Sequence, residues 1–207
     1  MSLTDKQIKT LSKRMNIPLG GVFFKDEIPK PEFNKTYFIN MEDSVDEKGQ
    51  MNPGTHWVCF QVNKYPSGEE APIYFDSYGQ SPPQNVKQAI SSITKKHLPH
   101  TTKDIQSLMN NACGYYCLAF AHYINSSKHR SGSLYPDVHD FIDMFDDLNK
   151  EVDFKKNEYI LKHFFRSSDP SKRKEIDVLD TNAISKDNQK GGIDMMQIPI
   201  SINQMKK

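Results

Sequence analysis

Cysteine is scarce in this 207-residue chain: there are three, and an odd set that small is no disulfide framework. A reducing compartment is therefore expected. No stretch approaches the roughly 18 consecutive apolar residues of a membrane span, and the N-terminus reads without the apolar core of a signal peptide, so no membrane association is expected. An excess of one charge is missing too. Lys+Arg number 27 against 26 Asp+Glu, a formal net charge of +1, which leaves no global field to recruit nucleic acid and at most a local basic patch. What is present is enough for a core. At 36% hydrophobic and 11% aromatic residues, a chain of this length buries about 70% of its unfolded surface in one domain.

Taken in order, Thr4 and Gln7 form a capping-box pattern ahead of Ile8, Leu11 and Met15 on one helical face, which predicts a short amphipathic helix over 4–15 acting as a clasp. Residues 17–31 hold Gly20, Gly21 and three prolines and read as an irregular link with one short strand, Val22 to Phe24. KTYFINM (35–41) reads as a strand and 42–54 as a polar loop. His56 to Val62 is apolar on both faces and so is expected inside a sheet, followed after a turn near Ser67 by a strand over Pro72 to Asp76. Antiparallel pairing of these two brings His56 close to Asp76 at one sheet edge. A helix from Gln84 to Lys96 has Val86, Ala89, Ile90 and Ile93 inward. An extended piece around Ile105 and Gln106 leads to a buried helix from the Cys113 region to Ile124, with Asn110 and Asn111 suited to cap it. After a polar loop through Pro136, two more helices are marked by Val138, Phe141, Ile142, Phe145 and Leu148, and by residues 157–165. From Arg166 the chain is polar and reads as a flexible tail, 167–207, interrupted by the apolar run MMQIPISI.

The chemistry-bearing residues are His56, Asp76, Gln106 and Cys113. A cysteine in the first turn of a helix meets the positive end of the macrodipole and unpaired N–H groups, which favour its thiolate, and a neighbouring imidazolium favours it further. Such a nucleophile needs a base, a group to orient that base, and a donor for the oxyanion formed on the attacked carbonyl. His56, Asp76 and Gln106 supply those three. Each taken singly has an ordinary structural role, as a small buried thiol, a strand-end histidine, a turn former or a polar loop residue; together they describe a site.

The combination THW, YFDSYG and Gln-x6-Cys-Gly, spread over residues 37–124, resembles the adenovirus-type maturation protease within the wider group of SUMO-specific cysteine proteases. The GTHW and CGYYCL segments resemble proteases of virophages and related large DNA transposons. The resemblance implies a papain-like α+β fold in reversed order, His before Asp before Cys, with a mixed or antiparallel central sheet flanked by helices and the protease domain over 1–166. It implies His56 as base, Asp76 as its partner, Cys113 as nucleophile, and Gln106 with the Cys113 backbone N–H as oxyanion hole. Trp57 matches a tryptophan that covers a narrow Gly-Gly channel. It implies a monomeric cysteine endopeptidase without cofactor or metal that matures viral capsid or virion proteins after small residues, Gly-Gly above all, in virions and the host-cell cytoplasm. Whether a peptide or DNA activates it is open. The adenovirus enzyme takes its activating peptide through a disulfide, and neither Cys59, in a strand, nor Cys117, a helical turn past Cys113, is placed for one.

Three alternatives remain at this stage. The protein removes ubiquitin-like modifiers; it binds Gly-Gly tails without cutting; or His97, His100, Cys113 and Cys117 hold zinc, a choice that leaves His56 and Asp76 unused. The tail carries one further hypothesis, self-cleavage between Gly192 and Ile193 that releases 193–207, set against the favoured reading of this Gly-Gly as a flexible joint.

Overall fold

In the computed structural model, residues 3–108, 110–126, 133–148 and 154–165 are described. Their order is α1 (Asp5–Arg14), β1 (Leu19–Phe24), β2 (Thr36–Asn40), β3 (Trp57–Lys64), β4 (Glu70–Phe75), α2 (Gln84–Ser91), α3 (Cys113–Ser126), α4 (Leu134–Asp143) and α5 (Phe154–Phe165). The strands form one mixed sheet in the order β1-β2-β3-β4, the first pair parallel and the others antiparallel. The class is α+β, as expected.

The double-sided apolarity of β3 follows from its interior place in that order: every residue from Trp57 to Asn63 is buried. Its two faces supply two cores. On one face Trp57, Cys59, Phe75 and Phe38 meet α1, α3, α4 and α5; on the other Val58, Phe60, Val62 and Tyr74 meet Val86 and Ile90 of α2. The sheet is thus a middle layer between helices. In α3 the residues from Cys113 to Ala121 are buried without interruption, and so is Ile124, because the helix packs on β3 while α1, α4 and α5 contact it from other sides. A helix apolar all round is a core helix. Stacked Phe75 and Phe120, 4.4 Å between ring centroids, with Phe141 edge-on to both, fill the space between β4, α3 and α4.

The first helix has the expected capping box: Gln7 N–H donates to Thr4 Oγ1 at 3.3 Å and Thr4 N–H to Gln7 Oε1 at 2.8 Å. Its far end is tied to α3 by His122 Nδ1 on the Met15 carbonyl, 2.9 Å. Several boundaries differ from the sequence reading. Strand β1 begins at Leu19 rather than Val22, since pairing with β2 carries it through both glycines. Helix α2 stops at Ser91, short of Lys96. Ser91 and Ser92 turn their hydroxyls onto the carbonyls of Lys87 and Ala89, competing with helix continuation, and β-branched Ile93 and Thr94 follow. Helix α4 begins at Leu134, inside the segment read as loop, with Pro136 in the first turn, where it forfeits no helical N–H bond; it ends at Asp143, so Phe145 and Leu148 lie beyond it. Ile105 and Gln106, read as an extended piece, lie outside the strands; their backbone N–H groups both donate to the Ser77 carbonyl, at 2.9 and 3.2 Å. The tail, with MMQIPISI and the Gly192–Ile193 bond, lies outside the described residues.

The turn after β4 delivers the next residues to the site and depends on Gly79. Its φ is +68°, and a Cβ there would stand 2.5 Å from the Thr102 carbonyl oxygen, whereas at Gly68, φ +86°, a Cβ meets open space. Gly68→Ala is expected to cost about 1 kcal/mol for the left-handed backbone alone. Gly79→Ala is expected to cost clearly more, because a carbonyl must also move. Denaturant midpoints of the two variants, at unchanged m, check this; equal losses would count against the clash.

Candidate active site

The antiparallel register of β3 and β4 aligns Cys59 with Phe75 and Phe60 with Tyr74. Carried past the strand ends, it sets His56 opposite Tyr78, with Asp76 on the diagonal. The side chains meet accordingly. His56 Nε2 lies 2.9 Å from Asp76 Oδ1, and the His56 and Tyr78 rings are 4.8 Å apart, tilted by 30°. His56 is held from behind by Met41 N–H, which donates to its carbonyl at 2.9 Å. Asp76 is nearly inaccessible, and its Oδ1 also accepts from Tyr78 N–H at 2.9 Å. Thr101 fixes the Asp76 backbone, its hydroxyl lying 3.3 Å from the Asp76 carbonyl and 3.4 Å from the Asp76 nitrogen.

Cys113 is the first residue of α3, at the positive end of the helix dipole. Its sulfur accepts the Trp57 backbone N–H at 3.4 Å, so the start of β3 and the start of α3 are joined at the thiol, one residue from His56. The Cys113 sulfur is near enough to His56 to help raise its pKa, as Asp76 does. Asn110 does not cap α3 in the expected manner; its Oδ1 accepts from Ala112 N–H at 3.2 Å, just upstream of the helix.

Gln106 reaches the same place from the loop before α3. Its Oε1 accepts from the Ser77 hydroxyl at 2.7 Å, and its Nε2 donates to the Tyr78 hydroxyl and to the Asn110 carbonyl, both at 3.1 Å. That loop has no regular structure and is pinned by α5. Asn157 Nδ2 donates to the Ile105 carbonyl at 3.1 Å, and Glu158 Oε1 accepts from Asn110 Nδ2 at 2.8 Å. Trp57 is buried, and its indole N–H donates to the Leu3 carbonyl at 2.7 Å. The Leu3 side chain lies against Gly114, and Cys113 itself is only 2% exposed.

Sequence reasoning read Asn110 only as a cap and missed Ser77, Tyr78, Thr101, Asn157 and Glu158. For Tyr78 the signal was present in the strand register; for the others it was not, because their partners are distant in the chain. The other two thiols are inert core groups. Cys117 donates to the Trp57 carbonyl at 3.3 Å and Cys59 to the Cys117 carbonyl at 3.8 Å, and burial, with Cys59 alongside, pushes the Cys117 thiol well up. The zinc alternative is not assembled: among the described residues no three His, Cys, Asp or Glu side chains form a metal-holding group.

Electrostatically the centre is an imidazole beside a carboxylate and a sulfur. Burial alone would depress its pKa; hydrogen bonds to Asp76 and Cys113, with their charges, override that and raise it from 6.5 to about 9. Such a site can hold an imidazolium beside a sulfur and transfer its proton, which is acid–base and nucleophilic chemistry. No family model matches this chain, and no curated protein sequence matches it.

The raised pKa has a definite sign. Below about pH 6.5 His56 is protonated both folded and unfolded, and the stabilisation from its partners is complete; it declines as pH rises and is lost once pH passes about 9. The His56 ring resonances are expected to titrate near pH 9 in the native protein and lower in Asp76→Asn and Cys113→Ala. A midpoint at or below 6.5 in the native protein would refute the described contacts.

Proposed function

We propose that this protein is a cysteine endopeptidase that matures viral capsid or virion proteins by cutting after small residues, Gly-Gly above all. The observation that carries the reading is the His56 imidazole hydrogen-bonded to Asp76 and raised in pKa by Asp76 and the Cys113 sulfur, which stands at a helix N-terminus. The order of these residues along the chain, and helices packed on both faces of a mixed sheet, are what a papain-like fold in reversed order requires. The motif wording THW, YFDSYG and Gln-x6-Cys-Gly supports the adenovirus-type assignment.

The chemistry follows from the geometry. His56 takes the Cys113 proton, and the thiolate attacks the scissile carbonyl carbon, whose π pair moves onto oxygen. The imidazolium then protonates the departing amine as the tetrahedral centre collapses to a thioester. Water, deprotonated by His56, hydrolyses the thioester and restores the thiol. Asp76 holds the ring in the tautomer and orientation that both transfers need. Trp57, the residue beside the base, carries by resemblance the role of roofing a channel too narrow for side chains.

Three measurements test this. Cys113→Ala and His56→Ala are expected to abolish turnover of a peptide substrate without loss of fold, Gln106→Ala to lower kcat by about 10²-fold, and Cys59→Ser and Cys117→Ser to remain active. Appreciable activity in Cys113→Ala sinks the assignment. Peptides with Gly-Gly before the scissile bond are expected to be cut and Gly-Leu or Leu-Gly versions not, the preference relaxing in Trp57→Ala. A panel setting viral structural proteins against fusions of ubiquitin-like modifiers decides substrate class: cleavage confined to the fusions would replace the maturation reading with modifier removal.

A further inference from the structure

A carboxamide donates only from its NH2 end, so the role given to Gln106 depends on which way round its side chain is held. The Ser77 and Tyr78 hydroxyls, which both donate and accept, would suit either orientation. The Asn110 carbonyl would not. It can only accept, and it draws Gln106 Nε2 to itself at 3.1 Å. Asn110 carries an amide of its own with the same ambiguity, and here both ends meet single-minded partners. Its Nδ2 donates to the Glu158 carboxylate at 2.8 Å, and its Oδ1 accepts the Ala112 N–H at 3.2 Å. A carboxylate cannot donate and a backbone N–H cannot accept, so this amide has one orientation. Glu158 and Asn110 are 7% and 8% exposed, which leaves water little room to replace either partner. Ala112 in turn immediately precedes Cys113, whose own N–H is by resemblance the second oxyanion donor. One carboxylate on α5, 48 positions further along the chain, therefore anchors the residue that orients Gln106 and ties down the entry to α3.

We infer that Glu158 is a positioning residue for the oxyanion hole, acting through Asn110 on the orientation of the Gln106 carboxamide. The inference rests on the cysteine endopeptidase reading and on the donor role that reading gives Gln106. No proton or electron passes along this chain of bonds. Without the Glu158 oxygen the Asn110 amide is free to turn over, the Ala112 N–H loses its acceptor, and the Asn110 carbonyl is no longer held where it selects the NH2 end of Gln106. A carboxamide turned the other way presents an oxygen to the oxyanion and opposes it.

The test separates where the Glu158 oxygen stands from whether it is charged. Glu158→Gln keeps an oxygen at the same reach without the charge, Glu158→Asp keeps the charge and draws the oxygen back by one methylene, and Glu158→Ala removes both. In kcat for a peptide substrate the Gln variant is expected within about threefold of the native protein, and the Asp and Ala variants about tenfold lower, short of the roughly 10²-fold for losing the donor itself. KM is expected within about threefold in all three. Affinity for a peptide aldehyde, whose thiol adduct sets an oxygen in the oxyanion's place, is expected to follow kcat. Alkylation of Cys113 by iodoacetamide forms no oxyanion and is expected to stay within about threefold throughout, which general damage to the fold would not give. Should Glu158→Ala not fold, the comparison of Asp with Gln decides. A loss in Gln as large as in Asp, undiminished turnover in Asp, or alkylation falling in step with turnover overturns the inference while leaving the peptidase reading standing. Native protein that forms no aldehyde adduct sinks both.

Discussion

The hydrogen bond from the Trp57 backbone N–H to the Cys113 sulfur is the contact on which the rest depends. It fixes the distance between the first residue of β3 and the first residue of α3, two elements that are each buried nearly all round and so cannot shift independently of the core. Because His56 immediately precedes Trp57, placing the sulfur places the imidazole. A close-packed interior transmits position faithfully, and here it holds a polar pair that neither element could orient alone. The second thiol of α3 reinforces this: Cys117 bonds to the Trp57 carbonyl, so both backbone groups of one tryptophan bond to sulfur atoms one helical turn apart.

The opposite side of the site is built differently. The segment from Asp76 to Gly79 and the loop from Thr101 to Ala112 have no strand or helix to hold them, so hydrogen bonds do the work that packing does elsewhere. The Ser77 carbonyl takes two backbone N–H groups, and the Ser77 hydroxyl aligns Gln106. The side chains of Asp76, Ser77, Thr101, Gln106, Asn110 and Asn157 are buried and hydrogen-bonded, the condition under which a polar network rigidifies rather than weakens a fold.

The parts of this design that were legible in the sequence are those set by local pattern. A run apolar on both faces marked β3, and pairing it as a hairpin with the strand read over 72–76 put His56 beside Asp76. The glycine after Cys113 and the apolar run beyond it marked α3, with the thiol in its first turn. Element ends were less legible. The end of α2 is decided by serine hydroxyls competing for carbonyls, and the start of α4 by a proline that a first turn tolerates. The role of Asn157 and Glu158 was not legible at all, since a polar residue on a helix gives no sign of which loop, some 50 positions earlier, it will grip. Tyr78 stands between these cases: the register that brought His56 toward Asp76 also set Tyr78 across from it, but a tyrosine in a glycine-containing turn reads as a turn residue.

The grip of α5 on the Gln106 loop has a consequence for how the molecule comes apart. Segments that share satisfied buried bonds open together, so the loop and α5 form one cooperative unit although they belong to different regions of the chain. Leu161 and Phe165 of α5 belong to the same apolar core as α3, and Phe165 meets the Tyr115 ring edge-on, two residues past the thiol. A partial opening that releases α5 would therefore loosen the Gln106 loop and uncover the first turn of α3 together. Amide hydrogens of α5 and of that loop would then exchange with solvent in step, although some 50 positions separate them in the chain.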